Sequence, residues 1–89
     1  MRPLVNRYYQ HKYGGLYRVS DISTSTTDKS LWVVYSHCYP FEYQVFHRPL
    51  EEFVDGRFTL ITGEEYNNLL KKDRTQFQME IGMARGAKR

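Results

Sequence analysis

The sequence predicts a mainly β fold, a small antiparallel barrel of about five strands followed by a C-terminal α-helix. Short apolar and aromatic runs are separated by glycine-containing turn signals, Gly-Gly at 14–15 and Asp-Gly at 55–56. The run Leu31–His37 is β-branched or aromatic almost throughout, which is typical of a central strand. At Thr62 the pattern changes to that of a helix start. A chain of 89 residues has enough apolar surface for one core, so we expect one domain.

The first two strands are predicted at residues 8–12 and 16–22. They are joined across the Gly-Gly pair as a hairpin, because glycine adopts the positive φ angles of a tight turn. In the second strand Tyr17 and Val19 are predicted to face the core. Residues 23–30 contain no apolar side chain, so we expect an exposed, hydroxyl-rich loop there.

The third and fourth strands are predicted at residues 31–37 and 43–47. The third strand is apolar nearly throughout, as expected for a strand that is buried on both faces of a small barrel. Pro40 indicates a turn between the two strands, since its ring presets a turn dihedral. Pro49 is expected to end the fourth strand, because proline cannot donate to a sheet ladder.

A helical turn, a fifth strand and a longer helix are predicted after Pro49. The turn is expected at residues 50–53 and the strand at 57–61. Thr62 and Glu65 form a capping box, in which each side chain accepts a hydrogen bond from the other residue's backbone N–H. The basic residues that follow the helix complement its dipole; they are Lys71, Lys72 and Arg74.

Residues 75–83 fit two structures. Their apolar members alternate with polar ones and are Phe77, Met79, Ile81 and Met83. This period of two predicts a strand. Leu70, Phe77 and Ile81 also lie near one face of a helix, which predicts a longer helix instead. We divide the domain into a barrel with a short N-terminal arm (1–62), a helix and extension packed on it (63–83) and a flexible basic tail (84–89).

Composition favours a binding protein. The net charge of +3 and the pI near 9.1 allow attraction to nucleic acid or to acidic proteins. Aromatic residues make up 16% of the chain, more than so small a core holds, so several rings are expected at the surface. A single cysteine, Cys38, and the lack of a signal peptide or membrane-spanning run predict a soluble cytoplasmic protein.

Three segments of the predicted barrel together carry a family resemblance. The opening segment holds Tyr9, His11, Lys12, Gly14, Tyr17 and Val19, the middle one Val33-Val34-Tyr35 and Tyr39, and the closing one Phe46, Arg48, Pro49, Leu50, Phe53 and Arg57-Phe58. With this ordered set, over residues 9–61, the chain resembles the domain-of-unknown-function family 1653 of bacteria and phages. The resemblance implies an SH3-like β-barrel and no established activity.

The chain departs from the family pattern at two places. Family members usually carry a His-Ser-Glu-Thr-like segment after the second strand, where this chain has Ser23–Thr27. If that segment holds a family-wide site, this chain lacks it. Residues 39–41 replace a turn that is typically acidic. The helix and tail beyond residue 62 look like additions to the family domain.

No catalytic, metal or cofactor site is predicted. The spacing of His11, His37 and His47 fits no compact zinc pattern, and Cys38 adds only one thiolate. Neighbouring residues on a strand point to opposite faces, so His37 and Cys38 are not expected to act as base and nucleophile. Since so small a barrel rarely encloses a substrate cleft, we expect a non-enzymatic binding module.

The first binding hypothesis is a nucleic-acid surface. Single-stranded RNA or DNA is held by rings that stack on bases and by cations that contact phosphates, and small barrels often serve this purpose. The candidate basic and aromatic residues are Arg7, Tyr8, Lys12, Tyr13, Arg18, Trp32, His47 and Arg48. The competing structural interpretation pairs Arg48 with Glu51, Glu52 or a backbone carbonyl.

The alternative is a protein-interaction module, such as a phage-type or bacterial adaptor, an inhibitor of a host protein, or a homodimer. It depends on exposed tyrosine and arginine side chains and on an apolar C-terminal stripe, namely Phe77, Met79, Ile81 and Met83. A terminal strand of this kind adds to a sheet edge, and methionine suits adaptable surfaces. The competing structural interpretation is that the stripe covers the open end of the barrel. On the partner hypothesis, truncation after Asp73 leaves the barrel folded.

Overall fold

The computed structural model describes residues 2–86. Its elements in chain order are β1 (Tyr8–His11), β2 (Leu16–Thr24), β3 (Leu31–Tyr39), β4 (Gln44–Pro49), α1 (Leu50–Phe53), β5 (Phe58–Ile61), α2 (Gly63–Leu69) and α3 (Arg74–Gly86). The strands form one five-stranded antiparallel sheet in the order β4-β3-β2-β1-β5. The predicted mainly β fold of five strands with a C-terminal helix is confirmed.

The sheet curls around its core but does not close into a complete barrel. Within residues 2–86, β4 and β5 are the two edge strands and no ladder joins them. Phe46 on β4 and Phe58 on β5 pack against the same core from opposite sides of this gap. Side chains rather than backbone hydrogen bonds therefore fill the gap, and the barrel is an open one.

We call the face that encloses the core the concave face, and the opposite one the convex face. Tyr9, Val19, Val33 and Tyr35 on β1, β2 and β3 meet on the concave face and pack with Phe53 of α1. The predicted helical turn α1 thus covers the core with Phe53, whose side chain is fully buried. Because side chains alternate along a strand, the neighbours of these core residues point to the convex face.

The ambiguous C-terminal segment is a helix. In α3, Phe77 and Ile81 are four residues apart and lie on the same side of the helix. Both are buried against Leu16 and Ile61. The helix also lies close to Gly14, where a Cβ would be 3.1 Å from the Phe77 ring and where φ is +119°. The strand alternative fails because a strand would place Met79 on the same side as Phe77 and Ile81, whereas Met79 is exposed.

The position of α3 corrects two expectations about the C-terminus. Residues 84–86, predicted to begin a flexible tail, form the last turn of α3, and residues 87–89 of that tail lie outside the described residues. Truncation after Asp73 would remove Phe77 and Ile81 from the core. We therefore expect the truncated chain to lose the fold, since each large buried side chain contributes about 2–5 kcal/mol.

The predicted capping box of α2 is confirmed. The Thr62 hydroxyl accepts from the backbone N–H of Glu65 at 3.0 Å, and Glu65 Oε1 accepts from the N–H of Thr62 at 3.1 Å. The helix ends at Leu69, sooner than the basic residues that were expected to close it. Arg74 instead begins α3, next to an Asp73 carboxylate that accepts from the N–H of Gln76 at 2.9 Å.

Several strand ends also differ from the predicted ones. β2 extends to Thr24, so the hydroxyl-rich loop is shorter than expected. β3 extends to Tyr39, which shortens the turn before β4. β4 runs from Gln44 to Pro49, so it extends past the predicted residue 47 but ends at Pro49 as expected, because proline cannot donate to a sheet ladder. None of the helices in residues 2–86 combines the length and apolar character needed to cross a membrane.

Candidate functional site

The residues that were predicted to bind nucleic acid lie on different surfaces of the sheet. Arg18 and Trp32 are the strand neighbours of the core residues Val19 and Val33, so both lie on the convex face. His47 lies between Phe46, which packs on the core, and Arg48. It is therefore convex as well, whereas Arg48 is concave. The adjacent His47 and Arg48, predicted as one surface, belong to opposite faces.

The convex face holds an accessible pair of rings. The Trp32 and His47 rings lie 4.9 Å apart between centroids, at an interplanar angle of 30°. The Trp32 indole N–H donates to Ser30 Oγ at 2.9 Å, and the Ser30 hydroxyl in turn donates to Asp28 at 2.7 Å. The indole is thus held in place by the hydroxyl-rich loop. His47 is exposed, which leaves one face of the ring pair open to solvent.

Other convex candidates are partly occupied by contacts within the chain. Tyr8 stacks on Tyr66 of α2 with centroids 3.8 Å apart and an interplanar angle of 12°, so one face of its ring is covered. Arg18 pairs across the sheet with Tyr8 and donates from Nη2 to Asn6 Oδ1 at 2.6 Å. The structure therefore brings Arg18 to the same face as the ring pair but covers Tyr8.

Three predicted residues lie away from the ring pair. Lys12 and Tyr13 occupy the β1–β2 hairpin, where the Lys12 ammonium lies 5.3 Å from the centroid of the Tyr13 ring. Tyr13 itself packs against the core cluster that α3 completes. Arg7 precedes β1 and is exposed, and its carbonyl accepts from the N–H of Val19 at 3.1 Å.

On the concave face, Arg48 lies among aromatic rings. Its Nε donates to the Tyr35 hydroxyl at 2.9 Å, and its guanidinium carbon lies 5.5 Å from the centroid of Phe58 and 5.9 Å from that of Tyr35. The expected pairing with Glu51, Glu52 or a carbonyl is not what the structure shows. Its Nη1 atom is buried and has no hydrogen-bond partner among the described residues.

Tyr17 is the centre of this aromatic cluster. Five rings surround it with centroids 4.8 to 6.5 Å away, those of His37, Phe58, Tyr35, His11 and Phe46. The sequence predicted Tyr17 as core but did not group it with His11 and His37. Most of these rings belong to the opening and closing segments of the family resemblance, and that was the only indication in the sequence that they belong together. Only the folded sheet brings them together.

Both concave histidines accept backbone hydrogen bonds. His37 Nε2 accepts from the N–H of Phe41 at 2.9 Å, and His11 Nδ1 accepts from the N–H of Tyr13 at 3.2 Å. Burial, reinforced by the nearby positive charge of Arg85, lowers the pKa of each histidine to about 4. Both rings are therefore neutral at physiological pH, in agreement with their role as acceptors.

A small cavity opens beside this cluster. Its volume is about 160 Å³, and Tyr17, His37 and Phe46 line it together with polar groups of the β3–β4 turn and Arg85 of α3. The C-terminal helix thus brings a cation to the edge of the concave face. Sequence reasoning missed Arg85 because this residue was assigned to a flexible tail.

Comparison with known protein families shows which family the chain belongs to. A family model described as "Protein of unknown function (DUF1653)" matches residues 7–67. The chain belongs to the DUF1653 family. No curated protein and no solved structure matches it.

In this DUF1653 member the match begins before the predicted residue 9 and continues past residue 61 into α2. The helix after residue 62 is therefore not wholly an addition of this chain, whereas α3 lies outside the match. Within the described residues, no group of three or more histidine, cysteine, aspartate or glutamate side chains is placed to hold a metal ion.

Proposed function

We propose that this DUF1653 member is a non-enzymatic module that binds single-stranded RNA or DNA through its convex face. The observation that carries the proposal is the Trp32–His47 ring pair, which is exposed on one side and fixed by the Ser30 hydroxyl. A base stacks on such a ring irrespective of its identity, because every base has a π-face. Arg18 on the same face supplies a cation for the phosphate backbone.

The surroundings of the ring pair suggest modest affinity. Asp21 is exposed and pairs with Val34 on β3, the residue that pairs with His47 on β4. A carboxylate at this position repels phosphate. The net charge of +3 attracts nucleic acid only weakly at long range. We therefore expect binding that weakens with added salt. The free thiol of Cys38 suits the reducing cytoplasm, where we place this activity.

The test uses Trp32 as an internal reporter, because it is the only tryptophan in the chain. A single-stranded oligopyrimidine is titrated into the protein at low salt while tryptophan fluorescence is recorded. Stacking of a base on the ring pair is expected to quench the signal. His47→Ala is expected to weaken binding about tenfold, since a base–ring stack contributes about 1–3 kcal/mol.

The matched control is Tyr43→Ala, which removes an aromatic side chain that is 73% exposed but lies in the β3–β4 turn. We expect this variant to bind like the parent protein. Equal losses in the two variants, or no change in fluorescence at low salt, would rule out the convex ring pair as the binding site.

The second candidate function is protein binding through α3, and one observation favours it. Met79 and Met83 are 57% and 73% exposed and lie four residues apart on the solvent side of the helix. The predicted stripe is thus divided, because Phe77 and Ile81 are buried. An adaptable methionine surface suits a partner helix or a second copy of the chain.

Two experiments test this candidate, sedimentation and capture of proteins from a cell lysate. Each is done with the parent protein and with a Met83→Lys variant. A self-associating parent and a monomeric variant would support a homodimer, and capture of a lysate protein by the parent alone would support another partner. A monomeric parent that captures nothing would exclude the α3 surface.

A further inference from the structure

The free edge of β5 carries two residues whose backbone groups are not bonded to β1. The N–H of Lys12 donates to the carbonyl of Arg57 at 2.8 Å, so these two form a hydrogen-bonded pair of the β1–β5 ladder. Hydrogen-bonded and non-hydrogen-bonded pairs alternate along an antiparallel ladder, which makes Phe58 and Leu60 the non-hydrogen-bonded positions of β5. Their N–H and C=O groups therefore point away from β1, and no other backbone group within residues 2–86 is bonded to them.

β5 also lacks the features with which proteins usually protect a sheet edge. Such protection comes from charged side chains and proline within the edge strand. The other edge strand, β4, contains Arg48 and Pro49. β5 has the sequence Phe-Thr-Leu-Ile, without charge or proline, and Leu60 is 48% exposed. Of the two edges, β5 is therefore the one open to pairing with another strand.

An open apolar cavity lies beside this edge. Its volume is about 410 Å³, and Phe58 and Leu60 line it together with the core residue Tyr9. Leu4 and Val54, which are 49% and 46% exposed, belong to the same lining. The N–H of Leu4 donates to the Tyr9 hydroxyl at 2.9 Å, which holds the N-terminal arm against the cavity. The volume is within the roughly 300–1,000 Å³ of ligand sites and has room for a large apolar side chain.

The charge at this cavity is positive. Arg2 is exposed and is the only charged residue of the lining among the described residues. Asp55 and Arg57, which flank the start of β5, form an ion pair of 2.9 Å with each other and therefore add little net charge. A carboxylate is the charged group that this position favours.

We propose that the edge of β5 binds an extended peptide, which pairs with Phe58 and Leu60, places a large apolar side chain in the cavity and directs a carboxylate to Arg2. The free backbone groups favour a polypeptide over a small apolar molecule, because two alternate residues of an antiparallel strand satisfy all four groups. Since β5 offers only these two residues, the cavity must supply the rest of the affinity. The site does not depend on nucleic-acid binding at the convex face.

The probe is a displayed library of random octapeptides, selected on the immobilised full chain. We expect enriched sequences with a large apolar residue and an acidic residue. One enriched peptide is then synthesised, and amide hydrogen exchange of the protein is measured with and without it. Exchange of the Phe58 and Leu60 amides is expected to slow about tenfold or more. The amide of Thr59, which the ladder directs to β1, should change little.

Two protein variants locate the site. Leu60→Lys introduces a charge at the cavity, and we expect the peptide to bind about tenfold more weakly or worse. Val45→Lys is the matched control, because Val45 is 54% exposed and lies on the other edge strand; it should bind like the parent protein. Arg2→Glu should weaken binding of the acidic peptide and strengthen binding of a peptide in which lysine replaces the acidic residue.

Methylation of the peptide backbone tests the strand pairing without changing the protein. Alternate nitrogens of a paired strand face its partner, and the others face away. Methylation of one alternate set should therefore abolish binding, whereas methylation of the other set should preserve it.

The proposal is overturned if no sequence is enriched on the parent protein relative to Leu60→Lys, or if the two methylated sets bind equally. Equal losses in Leu60→Lys and Val45→Lys would also overturn it, since that would indicate a general effect of added positive charge. Slowed exchange in α3 instead of β5 would move peptide binding to the helix. Unchanged affinity in Arg2→Glu would contradict the carboxylate contact.

Discussion

The convex and concave faces of one sheet use the same residue types in opposite ways. On the convex face, the half-buried Trp32 and the exposed His47 form a ring pair. On the concave face, Tyr17 is surrounded by rings, and His37 is only 4% exposed. Arginine also occurs on both faces: Arg18 donates to a side chain beside β1, whereas Arg48 has a buried unpaired donor. Strand alternation alone produces this division.

The comparison shows that basic-aromatic composition does not define one surface. Residues that are adjacent in the sequence lie in different environments, and burial on the concave face lowers the pKa of His11 and His37 to about 4. We propose the convex face as the site of an extended ligand, whereas the concave face encloses rings that are packed against one another.

The largest effect is expected from the helix that supports the concave cavity. Phe77→Ala removes a ring that is 2% exposed and packs against Leu16, and we expect a loss of about 3–5 kcal/mol in the free energy of unfolding. Met79→Ala, on the exposed side of the same helix, should change it by less than about 0.5 kcal/mol. Urea denaturation measures both variants, and similar losses would show that α3 does not complete the core.

A somewhat smaller effect is expected from acid, and it should come from the concave face. The folded-state pKa of His11 and His37 is about 4, against 6.5 for an unperturbed histidine. Between these two values the unfolded chain binds protons that the folded chain does not, so the free energy of unfolding decreases as pH falls from about 6.5 to about 4. Below that range the histidine contribution is constant.

We expect the decrease to be roughly 2–4 kcal/mol, because each pKa unit corresponds to about 1.4 kcal/mol and solvent screening reduces the share of the partly exposed His11. Urea denaturation at a series of pH values measures it, and His37→Gln should remove a large part of the dependence. A parent protein whose stability is flat between pH 7 and pH 4 would contradict the neutral histidines assigned to this face.

The smallest effect is expected on the convex face. Ser30→Ala removes the acceptor of the Trp32 indole N–H and should lower the free energy of unfolding by about 1 kcal/mol, the usual net contribution of a hydrogen bond. Without this hydrogen bond the indole should adopt more orientations, and oligonucleotide binding should therefore weaken. Thr27→Ala is the control in the same loop, because its side chain is exposed. Loss of binding in this control would implicate the loop rather than the indole.

Much of the fold could be predicted because its signals are local. The glycine hairpin, the strand of β-branched residues at 31–37 and the capping box at Thr62 all depend on near neighbours in the chain. The open edge between β4 and β5 was not predictable in this way, because it depends on how far the sheet curls. The helical state of α3 was not predictable either, since Phe77 and Ile81 fit both periods until Leu16 is in place.

The site was predictable only in part. Trp32, His47 and Arg18 were named and lie on one face, but Arg48 was grouped with them although it lies on the other. Strict application of strand alternation to β4 separates His47 from Arg48. Arg85 and Tyr17 line the same cavity although they are far apart in the sequence. No local sequence pattern predicts such a contact.

The most direct measurement of the central claim maps both faces in one NMR titration with a single-stranded oligonucleotide. The claim predicts shifts of the Trp32 indole, the His47 ring and the Arg18 amide, while the His11 and His37 rings remain in place. These shifts should diminish as salt is added. Shifts confined to the concave histidines or to α3, or no shifts at low salt, would contradict the assignment of nucleic-acid binding to the convex face.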